Sequence, residues 1–129
     1  MIDYWSYARQ NNKTYDPNTT VAITLSDLLA CAKEQGTTFK YGDILIVRSG
    51  FVDNYNKLSI DQRNAMTKET IYDYEFVGVE ATQEMADWLY DNYFAAVAGD
   101  QPAFEAWPPK PELVHHTNLL PLWVSNQRA

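Results

Sequence analysis

The sequence is short of cysteine, histidine, glycine and positive charge, and each shortage excludes something. Cys31 is the single cysteine among 129 residues. No internal disulfide can form, and a Cys-x-x-Cys redox or zinc motif is ruled out. There are two histidines, adjacent at positions 115 and 116, so a His-Glu-x-x-His metal helix is absent. The five glycines form no phosphate-binding loop, and no Gly-x-Ser-x-Gly nucleophile turn occurs. Ten basic residues stand against seventeen acidic ones, a net charge of −7. That balance argues against non-specific nucleic-acid binding, which needs a basic surface. No apolar run approaches the roughly 20 residues of a membrane span. The start, Met1-Ile2-Asp3-Tyr4-Trp5, does not read as a signal peptide. The expectation is a cytoplasmic, soluble protein with neither nucleic acid nor membrane as partner.

What the chain does have is apolar and aromatic residues, at 46% and 14% of the total. Disorder over the whole length is excluded, and the size suits one domain. Aromatics at this density fill cores and also line pockets and interfaces.

Local patterns predict the elements. Residues 1–20 read as loop with a short helical turn at 3–9. Residues 21–23 are a short extended piece. Thr24-Leu25-Ser26-Asp27 fits a capping box opening a helix over 25–35 that Gly36 stops. On that helix Cys31 reads as a packing residue, with no basic neighbour to lower its pKa. Tyr41-Gly42-Asp43 is a turn. Ile44-Leu45-Ile46-Val47 is a continuous apolar run, expected to be a strand buried on both faces. A helix follows Ser59. Phe76–Val79 and Phe94–Val97 are strands, and between them Thr82 caps a helix carrying Met85, Trp88 and Leu89 on one face. Residues 76–98 are therefore expected to form one βαβ unit with parallel strands. The class is α/β. The proline-bearing stretch 101–112 reads as an extended loop. Ligands bind outside the carboxyl ends of parallel strands. This singles out Arg48, Glu80 and Asp100, which lie at or just beyond predicted strand ends, as pocket candidates.

Several strings resemble the cyclase family of metal-dependent hydrolases, which contains bacterial-type kynurenine formamidase, and above all its fungal members. They are Asp3–Tyr7, Ile23–Cys31, Tyr41–Phe51, Phe76–Glu80 and Phe94–Trp107. The resemblance implies a swivelling β/β/α fold, of which this α/β chain with its short parallel strands and covering helices would be part. It also implies a zinc or manganese ion that activates water for hydrolysis of N-formyl-kynurenine, or a related amide or lactone, in tryptophan catabolism. The family's main metal motif, His-x-Gly-Thr-His-x-Asp, does not occur in this sequence. His116, in His116–Trp123, matches a later family ligand, with His115 as the alternative if the register slips by one. One histidine does not hold a catalytic zinc, which takes three protein ligands plus water. The expectation is a chain that does not retain the metal or turn over substrate alone. The alternatives are a non-catalytic ligand-binding or interaction module, as a homo-oligomer or paired with a longer paralogue, and a piece with no function of its own. Residues 1–123 are read as a partial cyclase-family domain. The resemblance stops at Trp123, and the Val124-Ser125 that follows reads like translated intron, so 124–129 are expected to be an atypical tail.

Overall fold

A computed structural model describes residues 1–109. The elements run β1 (Ile2–Asp3), α1 (Tyr4–Gln10), β2 (Ala22–Ile23), α2 (Leu25–Glu34), β3 (Ile44–Arg48), α3 (Phe51–Lys57), α4 (Ile60–Ala65), a 3₁₀ turn (Ile71–Asp73), β4 (Gly78–Val79), α5 (Gln83–Asp91) and β5 (Ala96–Gly99). The α/β class stands. The helices start where the local chemistry directs them. Thr24, Ser59 and Thr82 each accept a backbone N–H of the first turn, and Gln62 completes a reciprocal capping box with Ser59.

The strands form two parallel sheets. One has the order β1-β3-β5, with Ile2 beside Val47 and Ile44 to Val47 beside Ala96 to Gly99. The other joins Ala22-Ile23 to Gly78-Val79. The segment after β5 returns alongside β4, bridging Val79 to Glu105 and Phe76 to Trp107. Gly78 allows this close approach: a Cβ there would lie 2.2 Å from the Glu105 carbonyl carbon. The core is built from Ile2, Ile23, Leu28, Val47, Val79, Met85, Leu89 and Phe94, all fully buried.

Four expectations change. Residues 76–98 do not form one βαβ unit, because β4 pairs with β2 and β5 with β3. Helix α5 crosses from one sheet to the other, a choice local pattern cannot encode. The last strand begins at Ala96 rather than Phe94, and the Phe94 ring instead packs on Phe39 and Trp88. Strand β3 is not buried on both faces. Leu45 and Val47 point into the core, whereas Ile44 is 60% and Ile46 42% exposed. Helix α2 has half a capping box: Thr24 accepts from Asp27 N–H, but the Asp27 carboxylate pairs with Lys13 at 2.6 Å.

Candidate functional site

The carboxyl ends of the strands carry polar residues bonded to nearby backbone and side chains, and the three pocket candidates are among them. At the end of β1, Asp3 caps α1 through Ser6 N–H at 3.0 Å and accepts from the Ser6 hydroxyl at 2.9 Å. Arg48, at the end of β3, donates to both Asp3 oxygens at 2.8 and 3.0 Å. Partial burial pushes the Asp3 carboxyl up. The Ser6 bonds and Arg48 outweigh it, so the pKa ends below the usual value.

Asp100, just past β5, reaches across to the β3–α3 turn. Its carboxylate accepts from Ser49 N–H at 2.5 Å, the Ser49 hydroxyl at 2.8 Å, Gly50 N–H at 3.0 Å and Val52 N–H at 3.3 Å. Gly50 has no side chain to cap α3 and sits at φ +84°, against the Trp5 ring. Asp100 supplies the cap from another strand, and Tyr15 steadies the same turn by donating its hydroxyl to Ser49 O at 2.7 Å. Burial, with Tyr4, Asp100 and Asp3 nearby, pushes the Tyr15 hydroxyl pKa well up.

Glu80, just past β4, performs the same task in the other sheet. One oxygen accepts from Leu25 N–H, the first amide of α2, at 2.7 Å. A carboxylate after one strand thus caps the helix that follows its neighbour in both sheets. The fold brings Arg48 and Asp100 to adjoining strand ends and leaves Glu80 in the separate β2–β4 sheet. Each already holds backbone or a partner side chain.

Beside the Asp100 turn lies a cleft of about 450 Å³, walled by Phe51, Tyr55, Arg63, Tyr74, Glu75 and Phe76. Pro102, following β5, closes one side. Phe51 opens α3 directly after β3, so the cleft sits outside the carboxyl ends of β3 and β5, where open α/β sheets take ligands. Its volume falls in the range of small-molecule sites. The sequence offers a faint signal for it in Phe51 and Tyr55, four residues apart on one helix face. Tyr74 and Phe76 are brought opposite by the loop that β4 anchors.

His115 and His116 lie outside the described residues. Among the described residues no group of three His, Cys, Asp or Glu side chains could hold a metal ion. The strand-end carboxylates are bonded to separate helix starts and do not converge, so this donor set does not fit a catalytic zinc or manganese. Cys31 is fully buried, and burial pushes its thiol up to about 11, which leaves no nucleophile there.

A family model described as "Putative cyclase" matches residues 7–106. The chain belongs to the cyclase family. Among solved structures it is similar to one described as the crystal structure of a novel cyclase, at 23% identity and a TM-score of 0.63. That likeness speaks for the cyclase fold. It covers 81% of this chain and 31% of the other, so this chain spans about a third of the solved cyclase. No curated protein matches it. The matched stretch contains Arg48, Glu80, Asp100 and the aromatic wall of the cleft.

Proposed function

We propose that this chain contributes to a cyclase-family hydrolase of the kynurenine formamidase type. Such an enzyme adds water to the carbonyl of N-formyl-kynurenine, or of a related amide or lactone. For the formamide, the C–N bond breaks, formate leaves, and the released amine takes up a proton. The observation that carries the reading is the family match across residues 7–106. A cleft with aromatic walls at strand carboxyl ends, sized for one small substrate, supports it. Zinc or manganese, when bound, supplies activated water in such chemistry. The described residues of this chain do not provide its ligands, and His116, with His115 as the alternative, falls outside them.

The chain is therefore proposed not to turn over substrate by itself. The purified 129-residue chain, assayed with N-formyl-kynurenine and added zinc or manganese, is expected to show neither stoichiometric metal nor turnover. Stoichiometric metal with activity abolished by His116→Ala would show a complete enzyme. Co-expression with a longer paralogue carrying His-x-Gly-Thr-His-x-Asp is expected to give an active, co-purifying assembly. Co-purification with activity no higher than that of the paralogue alone would favour a second reading, a non-catalytic partner or ligand-binding module. That reading draws on the engaged strand-end carboxylates and on the open face of β3 and β5.

A further inference from the structure

The cleft beside α3 combines aromatic side chains with a guanidinium. Its walls are braced by ring contacts and a hydrogen bond. Phe76 is buried, stacks on Trp107 at 6.1 Å and meets Phe51 edge-on at 6.2 Å. The Trp107 indole donates to Ile71 O at 2.7 Å, which ties that wall to the 3₁₀ turn. Phe51 stacks on Tyr55 at 6.3 Å, with the rings 14° from parallel. These surfaces suit a flat aromatic group.

Among the described residues, one cation lines the cleft. Arg63 lies over the Tyr55 ring at 4.8 Å and donates through Nε to Tyr55 O at 3.2 Å and through Nη2 to Asn56 O at 3.1 Å. These bonds satisfy the last carbonyls of α3 and hold the guanidinium still. Nη1 has no hydrogen-bond partner among the described residues. A pre-positioned guanidinium with a donor to spare, beside an aromatic wall, selects a carboxylate carried on a ring. The opposing charge is Glu75, an exposed carboxylate on the rim.

The geometry points to this cleft as a binding site for a planar aromatic carboxylate, with the ring against the accessible parts of Phe51 and Tyr55 and the carboxylate on Arg63. This goes beyond the hydrolase reading, since it concerns binding and requires no metal or turnover.

The test uses the 129-residue chain with 2-naphthoate and its neutral isostere 2-naphthamide. Binding is followed by ligand fluorescence and mapped by amide chemical shifts. Naphthoate is expected to bind saturably, about tenfold tighter than naphthamide, as a charge-assisted bond implies. The shifts are expected at Phe51, Arg63 and Glu75. In Arg63→Gln that preference is expected to vanish, while naphthamide binding stays. Glu75→Gln, at the exposed rim, is expected to tighten naphthoate alone. Equal affinities in the unmodified chain, no saturable binding of either ligand, or shifts centred elsewhere would each overturn the proposal. If Arg63→Gln fails to fold, the ligand comparison on the unmodified chain and on Glu75→Gln decides it.

Discussion

At the scale of single residues, the polar groups at the strand ends divide between holding backbone and holding each other. Asp100 gathers bonds from Ser49, Gly50 and Val52 onto one carboxylate. Asp100→Asn halves the acceptor capacity and leaves amides of the α3 turn unpaired. Urea unfolding is expected to register a loss of about 2 kcal/mol. A loss under about 0.5 kcal/mol would mean that water replaces the carboxylate there. Cys31 supplies a pH signature. Its thiol titrates near 11 when folded against 9.0 for an unperturbed group, so the unfolded chain releases its proton first. The raised value adds stability below pH 9 that is lost as pH rises towards 11, with a maximum slope of about 1.1 kcal/mol per pH unit near pH 10. Stability curves from pH 8 to 11 are expected to flatten in Cys31→Ala relative to the parent, and iodoacetamide is expected to label Cys31 only on unfolding. Asp3 works with the opposite sign. Its lowered pKa adds stability that is lost as pH falls below the ordinary carboxylate range.

At the scale of elements, the starts of α2, α4 and α5 are legible in the sequence and the strand partners are not. Thr24, Ser59 and Thr82 act on amides three residues away, so four consecutive letters reveal them. Helix α3 escapes such reading because its cap, Asp100, lies about fifty residues on, and Gly50 offers no side chain. The pairing of β4 with β2 depends on the 103–107 segment lying across Gly78. Gly78→Ala places a Cβ against the Glu105 backbone and is expected to cost about 2 kcal/mol or more. The expected readouts are a lower unfolding midpoint and lost amide protection at Gly78 and Ala106, which donate to Val21 and Val79 across this junction. An unchanged midpoint would show that the return segment shifts freely.

At the scale of the whole molecule, the β1-β3-β5 sheet is covered on one side only among the described residues. Helices α1 and α2 pack on this sheet. The face formed by Ile44, Ile46, Ala96 and Ala98 is exposed. Parallel sheets are nearly always covered on both faces, and β5 has no proline or charge to guard its outer edge. The isolated chain is expected to self-associate through this face. Sedimentation equilibrium is expected to give a concentration-dependent mass that falls towards 14.8 kDa in Ile46→Lys. A parent chain that stays monomeric at all concentrations would contradict this. No helix among the described residues is long and apolar enough to cross a membrane.

The sequence by itself determined what is settled within a few residues. It set the α/β class, the capped helix starts, the turn at Tyr41–Asp43, the packing role of Cys31 and the strings that resemble the cyclase family. Each rests on side chains acting on nearby backbone or on a fixed spacing. The tertiary structure decided what depends on distant partners. It assigned Glu80 to Leu25 and Asp100 to the α3 turn, although 55 and 51 residues separate Glu80 from Leu25 and Asp100 from Ser49. It placed β4 and β5 in different sheets, opened one face of β3, and drew Phe51, Tyr55, Tyr74 and Phe76 into one cleft. A carboxylate after a strand looks the same in sequence whether it faces a ligand or caps a helix. Only the helix start that the fold brings within about 3 Å of it selects between the two.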